Sequence, residues 1–360
     1  MAAQPVTRSE TRLMAEYPEF ARSVPWTPLA DVPTPVEPCT SIAGYLGREG
    51  VWIKRDDLIS PIYGGNKVRR FEHLIADARR REAKTLVTVG GLASTQVMAT
   101  VLFGRATGFQ VTVTLFDQPV TTFLRRALLT NASAGARLVY GGGYVTTAWR
   151  AWRAYAEAES PYLILPGAST PMALLGYVDA MLELGEQVRR GEMPRPDLIV
   201  LPAGSGGTVA ALALGISMLR WPTTVIGIRI TDYIACNRAT IRLLIEATAH
   251  YLRQRSSRFA ATWLPEPRFR LHHGAIGRGY GHATPEALGA VPEVERLTGT
   301  PGEITYSGKA LGALRTIGRE HPGKTILYWS TLSSTAPEPT LGPGDLPPEL
   351  QRFFEGDVPI

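Results

Sequence analysis

Lys67 has the most unusual setting of the ionisable residues in this chain. It follows the Gly-Gly-Asn sequence of residues 64–66 and precedes a pattern that predicts a helix over residues 71–83. Glycines let a backbone or a flat ligand approach closely, and a helix N-terminus disfavours a positive charge. Both influences favour the neutral amine, which is the form that attacks carbonyl groups. The alternative interpretation is a surface lysine at a loop–helix junction.

A second chemical signal is the sequence Ala-Gly-Ser-Gly-Gly-Thr at residues 203–208, which joins an apolar strand to an apolar helix. Successive backbone N–H groups in such a turn, with the helix dipole behind them, form a cradle for an anion. The hydroxyls of Ser205 and Thr208 would add donors, although a plain tight turn is the alternative. A dinucleotide fingerprint would need a glycine at Val209. An esterase elbow at Ser205 is a near match, but it leaves Lys67 unexplained.

The turn at residues 90–96 is also rich in hydrogen-bond donors. Its sequence, Gly-Gly-Leu-Ala-Ser-Thr-Gln, places Ser94, Thr95 and Gln96 at the start of a predicted helix. This helix start could hold a substrate carboxylate, or Ser94 or Thr95 could simply cap the helix. Tyr280 and Tyr306 lie in glycine-containing loops. For these two, the ordinary alternative is a packing residue with a polar tip.

One motif is misleading. Residues 318–325 fit the phosphate-binding pattern GxxxxGK[ST]. That loop needs a strand before it and a helix after it, whereas here a predicted helix precedes and a predicted strand follows. We therefore predict a plain helix-to-strand turn at this position.

Short apolar runs alternate with helical patterns from about residue 50 onward. This predicts an α/β protein whose parallel sheets are covered on both faces, with too many units for one sheet. We expect two doubly wound parallel-sheet domains, with the active site in the cleft between them at the carboxyl ends of the strands. Strands are predicted over residues 85–89, 110–116, 137–140, 162–165, 198–202, 224–230 and 325–330. Helices are predicted over residues 94–107, 122–133, 145–158, 176–190, 208–219, 239–254 and 309–319.

The ends of the chain have a different character. Residues 1–40 are rich in proline and predict an extended arm, and the tail from residue 337 predicts a surface extension. The polar N-terminus lacks the apolar stretch of a signal peptide, and no apolar run is long enough to span a bilayer. We therefore expect a cytoplasmic protein without membrane contact.

Composition narrows the function classes. The 360 residues carry a net charge of +6, but the cations are scattered, which argues against nucleic-acid binding. Cys39 and Cys236 are far apart and form neither a disulfide framework nor a paired metal motif. The adjacent His272 and His273 point apart on any regular element, so we expect no metal centre.

Taken together, these segments resemble the fold-type-II pyridoxal-phosphate enzymes of the 1-aminocyclopropane-1-carboxylate deaminase and D-cysteine desulfhydrase family, which are tryptophan synthase beta-like. The matches keep one order from about residue 33 to residue 333. They comprise residues 52–58, 64–67, 90–94, 204–208, 279–281 and 306–310. Several matches in one order make the resemblance far more specific than any single motif.

The resemblance implies pyridoxal 5'-phosphate as the cofactor. Lys67 would carry it as a Schiff base and, once displaced, would move the substrate α-proton. An anion cradle and an activated lysine are the two features that this cofactor requires. The implied phosphate loop consists of Gly204, Ser205, Gly206, Gly207 and Thr208. Further cofactor contacts are assigned to Asn66, Thr95 and Ser307.

The substrate would be a small amino acid. Ser94 would lie beside its carboxylate, is a candidate base, and would share substrate binding with Thr95 and Gln96. Tyr280 and Tyr306 would face the substrate and complete the catalytic set. Family members are commonly dimers, so we expect a homodimer.

Three departures from the family pattern bear on the reaction. Thr95 replaces an asparagine that typically reaches the cofactor ring oxygen, whereas Gln96 is the deaminase-like choice. Ser307 stands where the deaminase branch has glutamate and the desulfhydrase branch threonine. A neutral hydroxyl does not keep the pyridine nitrogen protonated, which favours reactions with a β-leaving group. Residues 330–333, Ser-Thr-Leu-Ser, replace a glycine pair, which indicates an altered backbone or pocket.

We therefore predict a pyridoxal-phosphate lyase or synthase that acts at the β-carbon by α,β-elimination or β-replacement, as a desulfhydrase does. The alternatives are ring opening of a cyclopropane amino acid and a catalytically altered relative that only binds the cofactor or an amino acid. The large cofactor domain is predicted over residues 1–70 and 176–336. A small mobile domain is predicted over residues 71–175, and a C-terminal extension over residues 337–360.

Overall fold

The structure is a computed structural model that describes residues 9–299, 302–335 and 337–358. The strands are β1 (Val36–Pro38), β2 (Val51–Lys54), β3 (Thr85–Gly91), β4 (Gln110–Phe116), β5 (Arg137–Gly142), β6 (Pro161–Ile164), β7 (Leu198–Ala203), β8 (Thr224–Arg229), β9 (Phe269–His272) and β10 (Ile326–Trp329). The helices are α1 (Arg12–Glu16), α2 (Glu19–Ser23), α3 (Thr40–Leu46), α4 (Val68–Arg80), α5 (Thr95–Ala106), α6 (Thr122–Ser133), α7 (Tyr144–Glu157), α8 (Pro171–Arg189), α9 (Gly207–Leu219), α10 (Arg238–Arg253), α11 (Ser257–Ala260), α12 (Pro285–Thr298), α13 (Ser307–Glu320) and α14 (Pro348–Gln351).

Two sheets organise these elements. The larger has six strands in the order β1-β2-β10-β7-β8-β9, and the smaller has four in the order β5-β4-β3-β6. All pairings are parallel except that of β1 with β2 at the edge of the larger sheet. The predicted α/β class with two parallel sheets is therefore confirmed, while the short antiparallel edge strand was not predicted.

The buried strands explain why the sheets form. Strand β7 is buried along its whole length, as expected for a parallel strand with helices on both faces. Helices α8 and α9 pack on one side of the larger sheet around a core that includes Leu201 and Trp329. Helix α13 packs on the other side, around Val200 and Leu314. The helix-to-strand turn predicted between α13 and β10 is confirmed.

The prediction of an extended N-terminal arm is wrong for residues 12–23. They form helices α1 and α2, and Phe20 is completely buried in the core beside α8. Helices of five residues are unstable alone and form here because tertiary packing holds them. The first eight residues of the predicted arm lie outside the described residues.

The predicted surface extension at the C-terminus also differs from the structure. Leu346, Leu350 and Phe353 are buried and join the hydrophobic core of the smaller sheet. Arg125 of α6 donates to the main-chain oxygen of Phe353 at 2.8 Å. The many prolines and glycines of this tail suggested an exposed segment, although it also contains apolar residues that pack into the core. Residues 359–360 of the predicted extension lie outside the described residues.

A cluster of buried charges fixes the start of α4. Glu183 of α8 accepts hydrogen bonds from Lys54 at 2.6 Å and from both terminal nitrogens of Arg69 at 3.0 Å. Arg69 also donates to Asp56, which accepts a further hydrogen bond from Tyr177 at 2.6 Å. Because Arg69 lies two residues after Lys67, this cluster orients the first turn of α4.

Helix α7 carries an outward apolar stripe. Thr147 and Ala154 face the smaller sheet and are buried, whereas Val145, Trp149 and Trp152 are 86%, 53% and 66% exposed. The helical spacing of these three residues places them on the face opposite the sheet. Across the described chain, no helix combines the length and apolarity that a bilayer crossing requires.

Candidate active site

A cavity of about 360 Å³ lies where the carboxyl ends of strands from both sheets meet. Its walls include Gly90 and Gly91 at the end of β3 and Ala203 at the end of β7. The predicted cleft between two sheets is therefore confirmed. Every residue that the sequence assigned to the site lines this cavity except Ser307.

Lys67 is the N-cap residue of α4 and is only 8% exposed. Its Nζ donates to Oδ1 of Asn66 at 2.8 Å. Burial, with a smaller contribution from the positive charge of Arg70, holds the pKa of Lys67 well below its ordinary value. The amine is therefore biased toward the neutral, nucleophilic form.

Gly65, two residues before Lys67, lies so close to the backbone of another segment that a side chain would not fit there. Gly65 has φ +83°, and a Cβ there would lie 2.4 Å from the carbonyl oxygen of Thr331. The same oxygen accepts a hydrogen bond from the Asn66 N–H at 3.0 Å. The loop after β10 thus packs directly against the backbone of residues 65–66, which precede Lys67.

The glycine-rich turn at residues 204–207 joins β7 to α9. Gly206 has φ +76° and is the N-cap of α9, so its conformation favours glycine. A Cβ on Gly207 would lie 2.4 Å from Oγ of Ser169, and this Oγ lies 2.7 Å from Oγ of Ser205. This turn lines the cavity and leads into the N-terminus of α9, and the free backbone N–H groups of a helix N-terminus make a ready site for a phosphate.

Arg70 is a site residue that the sequence analysis missed. It is 1% exposed, and it donates to Oγ1 of Thr208 at 2.6 Å, to Oγ of Ser169 at 3.0 Å and to the carbonyl oxygen of Gly167. Its Nε has no hydrogen-bond partner, and no carboxylate of the described residues forms an ion pair with it. Burial lowers the pKa of Arg70 to about 10. A buried guanidinium beside the glycine turn, without an anionic partner, fits the phosphate end of pyridoxal phosphate.

The three-residue spacing between Lys67 and Arg70 is the feature of the sequence from which Arg70 could have been predicted as a site residue. Residues three apart on a helix share one face, so Arg70 had to lie on the same side of α4 as Lys67. Its lack of an acidic partner becomes visible only when the fold is known.

Helix α5 begins at the cavity. Ser94 is its N-cap, and the Ser94 Oγ accepts a hydrogen bond from the Val97 N–H at 3.4 Å. The Gln96 side chain donates to Thr88 at 2.8 Å and to Thr100 at 3.0 Å. Both amide hydrogens of Gln96 are thus used inside the protein, so the donors of this segment that could still bind an anion are those of the helix start itself.

Tyr280 and Tyr306 form a phenol pair in the cavity. Their hydroxyl oxygens are 2.6 Å apart, and their rings meet edge to face at 80°. Burial raises the pKa of Tyr306 to about 12, and burial together with Tyr306 raises the pKa of Tyr280 well above its ordinary value. The side chains of Tyr280 and Thr95 partly offset the effect of burial on the pKa of Tyr306. Both phenols are therefore protonated at neutral pH.

Ser307 is turned away from this cavity. It is 3% exposed, and its Oγ accepts a hydrogen bond from the Glu303 N–H at 3.1 Å. The Glu303 carboxylate accepts hydrogen bonds from the N–H groups of Thr305 at 2.6 Å and Ser307 at 2.7 Å, and also from Tyr306. Ser307 and Glu303 thus cap the start of α13. Residues 330–333 are the segment whose sequence differs from the family pattern, and two of them, Thr331 and Leu332, line the cavity.

Comparisons with known proteins identify the family of this chain. Residues 28–331 match the family described as pyridoxal-phosphate dependent enzyme. The chain is 31% identical over 297 residues to a D-cysteine desulfhydrase of Salmonella paratyphi C (strain RKS4594), which covers 79% of this chain and 86% of the relative. It is also 31% identical over 294 residues to the D-cysteine desulfhydrase of Serratia proteamaculans (strain 568), with 78% and 84% covered.

Solved structures show the same fold. An ACC deaminase homologue has a TM-score of 0.73 at 26% identity and covers 93% of this chain and 98% of its own. Threonine deaminase isoform 2 from Solanum lycopersicum, at 15% identity and a TM-score of 0.58, covers 89% and 82% and is similar in fold alone. The chain therefore belongs to the pyridoxal-phosphate dependent enzymes, has their tryptophan synthase beta-like fold (fold type II), and is an enzyme of the lyase and deaminase type.

Proposed function

We propose that this protein catalyses α,β-elimination or β-replacement on a small amino acid that carries a leaving group at its β-carbon. The observation that carries the proposal is the environment of Ser307, whose hydroxyl is engaged with Glu303 rather than directed into the cavity. Among the described residues of the cavity wall, Asp232 is the one acidic side chain, and it is exposed. No buried carboxylate of that wall is available to keep a pyridine nitrogen protonated. Reactions in which a leaving group takes the electrons early tolerate this best.

The cofactor end of the cavity would use Arg70, Ser205, Thr208 and the N–H groups of the glycine turn for the phosphate, with Asn66 and Thr95 as further contacts. When bound, pyridoxal phosphate supplies an electron sink that acidifies the α-C–H bond of an amino acid. The neutral amine of Lys67 is suited to accept that proton, because burial lowers its pKa.

The substrate end is assigned to the remaining residues. The start of α5, at Ser94, Thr95 and Gln96, would orient the carboxylate through its N–H groups and hydroxyls. The protonated phenols of Tyr280 and Tyr306 would lie near the β-substituent and donate a proton to the departing group. This use requires a phenol that keeps its proton at neutral pH, which their raised pKa values provide.

Product analysis tests the reaction. The holoenzyme would be incubated separately with D-cysteine, L-cysteine, serine, O-acetylserine and 1-aminocyclopropane-1-carboxylate. If the reaction is elimination, we expect pyruvate from at least one substrate with a β-leaving group, and sulfide together with it when that substrate is a cysteine. If it is replacement, we expect a new β-substituted amino acid from O-acetylserine and an added thiol, without pyruvate. Release of 2-oxobutanoate from the cyclopropane, with no pyruvate from the others, would instead support ring opening, the alternative favoured by the similarity to an ACC deaminase homologue.

We also propose two domains. The larger sheet draws its strands from residues 36–54 and 198–329, and the smaller sheet draws its strands from residues 85–164. This supports the division into residues 1–70 with 176–336 and residues 71–175, of which residues 1–8, 300–301 and 336 lie outside the described residues. Both boundaries fall inside helices, α4 and α8, which pack against each other. The mobility of the smaller part and a cytoplasmic location remain predictions.

We propose a homodimer that uses the outward stripe of α7. An antiparallel α7 pair around a two-fold axis would place Trp149 against Trp152 of the second copy, so the surface is self-complementary. Light scattering should give a dimer for the native protein and a monomer after Trp149→Glu with Trp152→Glu. Leu243→Glu, at an exposed apolar residue of α10, is the matched control and should remain dimeric. A native monomer, or a dimer insensitive to both tryptophans, would contradict the proposal.

A further inference from the structure

Lys309 is a buried lysine that the site described so far does not use. It is 1% exposed and is the third residue of α13. Its Nζ donates to the carbonyl oxygens of Ile276 at 2.9 Å and of Gly279 at 3.0 Å, and no carboxylate of the described residues forms an ion pair with it. Burying an ammonium group costs free energy unless it is hydrogen-bonded or paired with an anion. The two carbonyl oxygens that accept its hydrogen bonds therefore indicate what Lys309 stabilises.

Both acceptors belong to the loop of residues 276–281, which carries Tyr280. Gly277, Gly279 and Gly281 in this loop have φ values of +58°, +132° and +78°. Such a backbone has no strand or helix ladder to hold it, because each left-handed glycine turns the chain away from a regular element. The two hydrogen bonds from Lys309 therefore supply an external anchor.

The same loop also meets the smaller sheet. A Cβ on Gly281 would lie 2.6 Å from Cγ of Gln118, and a Cβ on Gly91 would lie 3.3 Å from the ring of Tyr280. The loop is thus wedged between α13 and residues at the carboxyl ends of β3 and β4. A loop in this place sets where Tyr280 enters the cavity.

Lys309 and Tyr306 share one helical turn. Tyr306 is the N-cap residue of α13, and Lys309 follows it by three positions, so both project from the same face. One turn of helix therefore fixes Tyr306 directly and fixes its phenol partner, Tyr280, through the anchored loop. The hydroxyl separation of 2.6 Å in the pair depends on both attachments.

We propose that Lys309 is a positioning residue that holds the Tyr280 loop so that the two phenols remain in hydrogen-bond contact at the substrate. The protonated amine offers donors to two carbonyl oxygens at once. Burial lowers the pKa of Lys309 to about 8, and the nearby Glu303 carboxylate partly offsets that effect. The inference rests on the proposed function only for its kinetic readout.

The test uses four holoenzyme variants: Lys309→Met, Lys309→Arg, Tyr280→Phe and the Lys309→Met/Tyr280→Phe double variant. Lys309→Met should lower kcat by about 10-fold to 100-fold with little change in KM, because small misplacements of reacting groups cost this much. Lys309→Arg should recover part of the loss. The double variant should be no slower than the worse of the single variants, because both act through one phenol.

Hydrogen exchange gives a readout that is independent of any substrate. In Lys309→Met the amides of residues 276–282 should exchange faster, while those of α9 and the absorbance of the bound cofactor stay unchanged. Lys324→Met, at an exposed lysine that pairs with Asp197, is the matched control and should change neither readout. Unchanged loop exchange, or multiplicative kinetic losses in the double variant, would overturn the proposal. If Lys309→Met does not fold, Lys309→Gln takes its place in the exchange test, and native loop exchange together with lost turnover would overturn the proposal.

Discussion

Replacing Lys67 with alanine should abolish turnover and the near-visible absorbance of the bound cofactor together. The reason is chemical: Lys67 is the lysine whose amine lines the cavity and is biased toward its neutral form by burial, and the family requires a covalent attachment at such a lysine. Absorbance spectra and product assays on purified Lys67→Ala would measure both losses. In the native protein, borohydride reduction followed by peptide mass analysis should place the added mass on Lys67.

The control and the pH dependence make this prediction specific. Lys84→Ala, at an exposed lysine, should keep the spectrum and the activity of the native protein. The amine of Lys67 is free only after substrate has displaced it, and its pKa is lowered. The value of kcat, which reports the enzyme–substrate complex, should therefore fall when the pH drops through that lowered pKa and the amine gains a proton. An undiminished absorbance band in Lys67→Ala would refute the assignment.

Replacing Glu183 with glutamine should destabilise the protein by about 3–5 kcal/mol, the usual cost of removing one partner from a buried ionic cluster. Lys54 and Arg69 would keep their charges in the core, and the carboxylate that accepts hydrogen bonds from both would be gone. Urea unfolding followed by circular dichroism measures the change. Glu186→Gln, whose side chain is 36% exposed, is the matched control and should change stability by less than about 1 kcal/mol.

The effect of acid on this stability difference follows from the pKa of the native Glu183 carboxyl. Burial alone would raise the pKa of Glu183, but Arg69 and Lys54 outweigh the burial and hold it well below its ordinary value. A carboxyl with a lowered folded pKa contributes stability above its unfolded pKa of about 4.3, and that contribution is lost as the pH falls toward the folded pKa. Acidification should therefore narrow the difference in stability between native protein and Glu183→Gln. A difference that does not depend on pH would contradict this account.

Sequence reasoning located the regular core well, because buried parallel strands have a distinctive composition. The run at residues 110–116 and the helix at residues 122–133 were predicted with the bounds that the structure has. Helix α12 was missed because it contains Pro292, which normally ends a helix. The elements α1 and α2 were missed because packing, rather than intrinsic propensity, holds them.

The buried cationic residues in and around the site were harder to predict from the sequence. Arg70 and Lys309 both look like scattered surface charges in the sequence, since burial and the absence of an acidic partner are properties of the fold. Ser307 is a different case: its position in the motif predicts a cofactor contact, which stays a prediction, and in the structure its hydroxyl accepts a hydrogen bond from the Glu303 N–H at the start of α13. Motif matching identifies which segment meets the cavity, and only the fold identifies which side chain of that segment faces it.

The packing of the C-terminal tail has a consequence for how the chain acquires its structure during translation. Leu346, Leu350 and Phe353 complete the core around the smaller sheet, whose last strand, β6, leaves the ribosome much earlier. That sheet must therefore wait with part of its apolar surface uncovered while nearly the whole second half of the chain is made. Contacts of this kind raise contact order and slow folding. The nascent smaller sheet is accordingly expected to expose apolar surface, and to be prone to aggregation, until the tail has been made.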